Sequence, residues 1–239
     1  MRAQGNLFET FRLTPASIHA YWLVCYGEAA AAKVSKMATH RNPDLTRRSL
    51  LGAAFREMYK SGFQAASLDN ILSNANVTKG ALYHHFGSKQ ELGYAVVDEL
   101  IREHVLNRWV RSLEKAENPI DGLLAILRAK EPHPGFDQRL GCPLNNLAQE
   151  MSPLDEGFRK RLEGVFREWR QGIAKALRRG QERGQVRSDV DPLESADFFI
   201  AALEGSLSLA KNAQDTDVFD NCKAGLASYL KGLRTPGSS

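Results

Sequence analysis

A short segment, VTKGALYHHFGSKQEL (residues 77–92), concentrates side chains that can donate hydrogen bonds or carry positive charge. If it is helical, Lys79 and Tyr83 share one face, and Gly80 and His84 form a second i,i+4 pair beside them. The opposite face of the segment is apolar. An ammonium, a phenol and an imidazole on one exposed face suit hydrogen bonds to phosphate oxygens, and a glycine there lets another backbone approach closely.

Cys142 is a second group that could do chemistry. It stands between Gly141 and Pro143, and Arg139 lies three positions earlier, where a guanidinium could favour the reactive thiolate. A thiol of this kind could sense oxidants or electrophiles. The alternative is a small buried residue that fills space.

Catalysis and metal binding find little support in the sequence. There is no Ser-His-Asp order, no phosphate-binding loop and no supported pair of carboxylates, so no catalytic residue and no cofactor are predicted. The adjacent histidines, His84 and His85, diverge by about 100° on a helix and have no third ligand nearby, so no metal site is predicted.

The elements around residues 77–92 are predicted from capping signals. Ser67 and Thr78 are candidate N-caps of two short helices, and Asn74-Ala-Asn76 supplies turn chemistry between them. Ser88-x-x-Glu91 is a capping box that ends the second short helix and starts the next one. Two short helices joined by a tight turn and braced by a longer helix predict a helix-turn-helix, whose second helix enters the DNA major groove.

Residues 44–92 resemble the DNA-binding domain of the TetR family of bacterial transcriptional regulators. The resemblance rests on Gly62-Phe63, on Ser67, on the run GALYHHF from Gly80 to Phe86, and on Ser88-Lys89. It departs from the family at Asn70, but Ile71 fills the inward position. The resemblance implies DNA contacts, mostly to the backbone, by Ser67, Thr78, Lys79, Tyr83, His84 and Lys89, beside the close approach that Gly80 allows.

Charge and periodicity divide the 239-residue chain. Residues 37–90 carry seven Lys or Arg against three Asp or Glu, which suits a polyanionic partner or a solvated charged face. Almost everything after residue 43 has helical periodicity, so the predicted fold class is all-α. We expect a mobile extension or a misassigned start at 1–36, a helix-turn-helix domain at 37–92, a ligand-binding and dimerisation domain at 93–235, and a tail at 236–239.

The larger helical domain is expected to hold an effector pocket and a dimer interface. In the TetR family the last two long helices pair with those of a second copy, although an internal hairpin without a dimer role is the alternative. The predicted pocket residues are Trp109, Phe136, Cys142, Leu144, Leu147, Met151, Phe166 and Trp169. The predicted dimer residues are Phe199, Leu203, Leu207, Leu226, Tyr229 and Leu230.

These features predict a homodimeric repressor that a small molecule releases from a palindromic operator. Its expected partners are double-stranded operator DNA, a small-molecule effector and a second copy of itself, with no membrane, in the bacterial cytoplasm. Two alternatives are a ligand-independent architectural DNA-binding protein, which would lack an apolar pocket, and a thiol sensor that uses Cys142. An enzyme is unsupported.

Overall fold

The computed structural model describes residues 43–129 and 136–236, so the expectations for residues 1–36 lie outside the described part of the chain. Within that part the chain folds into helices joined by short loops, as the periodicity predicted. Its extended pairing is limited there to one isolated antiparallel bridge between Val186 and Arg234. No helix in the described ranges is both long and apolar enough to cross a membrane.

Three helices form the N-terminal unit: α1 (Pro43–Ser61), α2 (Leu68–Ala75) and α3 (Lys79–His85). Gly62 ends α1 with a φ of 81°, a left-handed conformation that glycine adopts without strain. Apolar residues from all three helices, including Leu50, Ile71 and Leu82, are fully buried against one another. This small core holds α3 against α1 and leaves its other face outside.

A long helix, α4, joins the two halves of the chain. It comprises the helical segments Lys89–Ala95, Arg102–Val105 and Ser112–Glu114 and two π-helical segments, Val96–Ile101 and Leu106–Arg111, with helical backbone at every junction. The expected domain boundary at residues 92–93 therefore falls inside one continuous helix. A movement of α4 would therefore displace residues in both halves of the chain.

The second half of the chain packs five more helices around α4. They are α5 (Pro119–Arg128), α6 (Pro143–Met151), α7 (Glu156–Glu182), α8 (Pro192–Ala213) and α9 (Thr216–Gly232), with a 3-10 turn (Gln138–Leu140) before α6. Asp191 caps α8 by accepting hydrogen bonds from the backbone N–H groups of Leu193 and Glu194, and Pro192 occupies the first helical position. Buried Trp109, Trp169 and Phe199 form the aromatic centre of this half.

Candidate nucleic-acid interface and ligand cavity

Hydrogen-bonded caps fix the start of α3 and the start of the next helix, α4. Thr78 Oγ1 accepts from Ala81 N at 3.2 Å, and Ser88 Oγ accepts from Glu91 N at 3.0 Å to begin α4. Leu82 and Phe86 are buried beneath α3. With one face fixed inward, the other face is presented rigidly to the outside.

The outward face of α3 carries the predicted side chains. Thr78, Lys79, Gly80 and His84 are exposed, and 48% of Tyr83 is exposed. A Cβ added at Gly80 would meet only the Thr78 hydroxyl, at 3.9 Å, so nothing in the described structure requires a glycine there. The glycine therefore leaves room for an external molecule, which fits its expected role.

Two predicted DNA contacts also have structural tasks. Ser67 Oγ caps α2 by accepting from Asn70 N at 3.2 Å. Lys89 Nζ donates to the Gln64 carbonyl at 3.1 Å and lies 5.0 Å from the centre of the Phe63 ring. Burial lowers the pKa of Lys89. Substitution of Lys89 would therefore disturb the α1–α2 loop as well as any phosphate contact.

The histidines of α3 differ in environment. His84 is exposed, and its ring meets the His85 ring edge to face with centroids 5.2 Å apart. His85 is half-buried, and burial, followed by the charges of His84 and Arg47, lowers its pKa. His85 therefore favours its neutral form near neutral pH and acts as packing next to the exposed His84.

A cavity of about 360 Å³ lies in the second half of the chain, between α4, α5, α6, α7, α8 and α9. Of the predicted pocket residues, Trp109, Phe136, Cys142 and Trp169 line it. The remaining four do not: Leu144 and Met151 are buried in the core, Phe166 stacks on Trp169, and Leu147 lines a second cavity of about 310 Å³ between α1 and α6. The prediction erred there because apolar periodicity identifies inward residues without separating packed ones from cavity walls.

Glu204 of α8 also lines this cavity, and the sequence analysis missed it. Only 6% of the residue is exposed, and neither carboxyl oxygen accepts a hydrogen bond of normal geometry from a described residue. Burial raises the pKa of Glu204 to about 7, and the adjacent Cys142 thiol lowers it in part. The signal that could have revealed it is one acid within the otherwise uncharged run FFIAALEGSLSLA.

The surroundings of Cys142 differ from the predicted ones. The Arg139 guanidinium pairs with Asp137, with Nη2 and Oδ2 2.9 Å apart, and is not the partner of the thiol. Burial, and then the neighbouring Glu204 carboxylate, raise the pKa of the Cys142 thiol well above its usual value. This environment favours the neutral thiol and disfavours the nucleophilic thiolate that a sensor would use.

Hydrogen bonds link the cavity wall to the N-terminal unit. The Tyr59 hydroxyl, on α1, lies 2.8 Å from the Asp137 carbonyl and 2.7 Å from the Gly141 carbonyl, and donates to one of them at a time. Gly141 directly precedes the cavity residue Cys142. The end of α1 is therefore hydrogen-bonded to the loop that forms part of the cavity wall.

A second link runs through α6. The Glu150 carboxylate accepts from the backbone N–H groups of Phe63 and Gln64 at 2.8 and 2.9 Å. Pro143, at the other end of the same helix, lines the cavity. One short helix therefore touches both the cavity and the loop between α1 and α2.

The predicted dimer residues require a correction. Phe199, Leu203, Leu207, Leu226 and Leu230 are all buried in the core of the single chain, and Tyr229 alone is partly exposed. Their apolar stripe packs α8 and α9 onto the rest of the second half. A second copy cannot contact these five residues without unpacking that core.

A different stripe is open on the same two helices. On α8, 54% of Phe198 and 56% of Leu209 are exposed. The Phe198 ring lies 4.5 Å from the Tyr229 ring, which joins the outer faces of α8 and α9. Between and beside them lie small exposed residues that let another helix approach closely: Ala201, Gly205, Ser208, Ala224, Gly225 and Ser228.

The fold and these sites define a class of protein: an all-α regulator with a helix-turn-helix at one end and a helical domain with an internal cavity at the other. Two family models match the chain, described as "Bacterial regulatory proteins, tetR family" over residues 50–96 and "Tetracyclin repressor-like, C-terminal domain" over residues 121–226.

Known proteins agree with that class. The chain is 33% identical to the transcriptional regulator AcuR of Cereibacter sphaeroides over 175 residues, covering 70% of this chain and 77% of AcuR. It is 29% identical over 180 residues to the transcriptional repressor DhaR of a Mycobacterium species, covering 72% and 87%. A TetR regulator structure from Chloroflexus aurantiacus matches with a TM-score of 0.71 at 27% identity, covering 82% and 98%.

The chain belongs to the TetR family of bacterial transcriptional regulators. Its matched domains and relatives regulate transcription and are not enzymes.

Proposed function

We propose that this regulator is a homodimeric repressor that binds a palindromic operator and is released from it by a small molecule held in the cavity beside Glu204. The observation that carries the proposal is the outward face of α3. Lys79 and Tyr83 project from it without a hydrogen bond to any other described residue. An exposed cation and phenol on a rigid helix suit a phosphate-bearing partner.

The DNA contacts in this proposal divide into two kinds. Thr78, Lys79, Tyr83 and His84 lie on or next to α3 and face outward, so they make the direct contacts. Ser67 and Lys89 contribute by fixing the ends of α2 and α4 and reach the phosphates from those positions. The exposed Gly80 permits the duplex backbone to come close.

The dimer in this proposal uses the stripe around Phe198 and Leu209. These large apolar side chains are more than half exposed, and the small residues between them let two helices approach closely. Two copies of α8 and α9 related by a two-fold axis would form a four-helix bundle. The same axis would place the two α3 helices on a palindrome.

Release by a ligand requires a link between cavity and α3, and two links support it. Tyr59 ties the end of α1 to the cavity loop, and Glu150 ties α6 to the loop before α2. A ligand that prefers one arrangement of α6 would shift the spacing of the two α3 helices. The unfilled volume beside Trp109, Phe136 and Trp169 favours this reading over a ligand-independent architectural protein.

The test starts from selection of duplexes out of a random library by the full chain. The selected sequence should be a palindrome whose half-sites are about one helical turn apart. Compounds that raise the melting temperature should then lower the affinity of the protein for this duplex. A selected site without two-fold symmetry would contradict the dimer, and stabilising compounds that leave DNA affinity unchanged would contradict ligand release.

A further inference from the structure

The cavity beside Glu204 combines apolar walls with two unsatisfied polar groups. Trp109, Phe136 and Phe219 supply aromatic wall. Glu204 supplies a carboxyl group, and Trp169 supplies an indole N–H that donates to no described residue. Both of these residues are buried, at 6% and 1% exposure. Buried polar groups are nearly always hydrogen-bonded, and the adjacent Cys142 thiol is only a weak donor to Glu204, so the two groups indicate a further partner in the cavity.

The two polar groups are complementary to a single kind of partner. Above pH 7, the ionised Glu204 carboxylate only accepts hydrogen bonds, whereas Trp169 Nε1 only donates. The smallest group that both donates and accepts is a hydroxyl. Apolar side chains, among them Leu127, Leu203 and Leu207, make up about half of the remaining wall, beside polar ones such as Gln138 and Thr216, so much of the partner should be apolar.

Charge restricts the partner further. Among the described residues that line the cavity, Arg108, Arg128 and Lys223 are cationic, and the acid Asp220 pairs with Lys223. These charges oppose the entry of a cation. Above pH 7, an anion that passes them meets the ionised carboxylate of Glu204 in a low-dielectric site. An uncharged molecule is repelled neither by the cationic side chains nor by Glu204.

We propose that this cavity binds a compact, uncharged, mainly apolar molecule with one hydroxyl group, which donates to the Glu204 carboxyl and can accept from Trp169 Nε1. A volume of about 360 Å³ suits one or two rings. This inference deepens the proposed function by naming the ligand class, and it rests on the ligand-binding part of that proposal.

The test is calorimetric titration of the full chain, without DNA, at pH 8, where a carboxyl group with a pKa of about 7 is mostly ionised. The probes are three skeletons, ethylphenyl, naphthyl and cyclohexyl, each carrying a hydroxyl, a methyl, a carboxylate or an aminomethyl group. In at least one skeleton, the hydroxyl probe should bind at least about tenfold more tightly than each of the other three. If no hydroxyl probe exceeds its methyl partner, the proposal is overturned, and an ordered water is the better partner for the orphan groups.

Variants tie the preference to the named groups. Glu204→Leu should abolish the advantage of hydroxyl over methyl, and Trp169→Phe should reduce it. Glu194→Leu is the matched control, because Glu194 is an exposed acid on the same helix, and it should keep the full advantage. A hydroxyl preference that survives Glu204→Leu would overturn the proposal.

A milder variant covers the case in which Glu204→Leu fails to fold. Glu204→Gln keeps the shape and one acceptor oxygen but removes the negative charge, so the carboxylate probe should gain at least about tenfold in affinity. No gain would overturn the assigned role of Glu204. Because DNA affinity is measured separately on ligand-free protein, loss of DNA binding would refute the proposed function without touching these results.

Discussion

Replacing Glu204 by glutamine should change how the stability of the ligand-free protein depends on pH. Burial raises the pKa of this carboxyl from 4.5 to about 7. The folded chain therefore binds the proton more tightly than the unfolded chain does. The wild-type protein should lose stability as pH rises from about 4.5 to 7 and show no further loss from this group at higher pH.

The size of the effect follows from the shift. Each pKa unit corresponds to about 1.4 kcal/mol, so Glu204 should cost the wild-type fold roughly 2 to 3 kcal/mol more at pH 8 than at pH 5. Glutamine has no such titration. The quantity to compare is the difference in unfolding free energy between wild type and variant, because the contributions of the other titratable groups around the cavity largely cancel in it. Those groups are His104, Arg108, Arg128, Cys142, Asp220 and Lys223.

Urea unfolding at pH 5 and pH 8, at one protein concentration and without ligand, measures the effect. Glu204→Gln should be more stable than wild type at pH 8, with a much smaller difference at pH 5. Glu194→Gln, at an exposed site on the same helix, should follow the wild type at both pH values. Equal pH dependence in wild type and Glu204→Gln would refute the claim that burial raises the pKa of Glu204 in the folded chain.

Three further predictions concern DNA binding, assembly and coupling. Lys79→Ala should weaken binding to all duplexes and reduce the magnitude of the slope of log affinity against log salt by about 0.9. The control Lys175→Ala, on the exposed face of α7, should leave both unchanged. An unchanged slope for Lys79→Ala would exclude a phosphate contact. Phe198→Asp should raise the dimer dissociation constant, measured by light scattering, at least about tenfold, because the change occurs twice in a two-fold interface. The control Leu154→Asp, at a residue that is 62% exposed, should leave the constant unchanged. An intact Phe198→Asp dimer would rule out the stripe as the interface. Glu150→Gln should remove one of the two hydrogen bonds from the loop before α2 and weaken the contact between α6 and that loop by about 1 to 2 kcal/mol. Amide exchange in the loop should become faster. Unchanged exchange would show that other contacts hold the loop against α6.

The helix-turn-helix was predictable because its signals are local. Ser67, Thr78 and Ser88 each start a helix by accepting a hydrogen bond from the backbone N–H three positions further on, as their types and spacing predicted. The residues that point outward on α3 follow from the same spacing. Such features depend on neighbours within one turn, which the sequence displays directly.

The predicted dimer residues lie mostly in the core of the single chain because α8 has two different apolar faces. Hydrophobic periodicity marks Phe199, Leu203 and Leu207, which pack inside the chain. The open face carries only Phe198 and Leu209 among small residues. This pattern is weaker than the buried stripe on the same helix and is easily overlooked beside it. Which face meets the core depends on contacts between distant helices, and these are not visible in a one-dimensional pattern.

The cavity was predictable only in part for a similar reason. Aromatic residues on α4 and α7 indicated a pocket, but the split between cavity walls and packed residues such as Leu144 and Met151 depends on how six elements meet. Glu204 was overlooked because acids are usually exposed on helices. Its place on the buried face, in phase with Ile200, becomes significant once that face is known to be internal.

The measurement that most directly tests the central claim is the specificity of the full chain for DNA. Fluorescence anisotropy at physiological salt should compare the selected palindromic duplex with a duplex of the same composition in permuted order. We predict that the selected duplex binds at least about 10³-fold more tightly, as expected for a sequence-reading regulator. Equal affinity for the two duplexes would contradict the claim that α3 reads an operator.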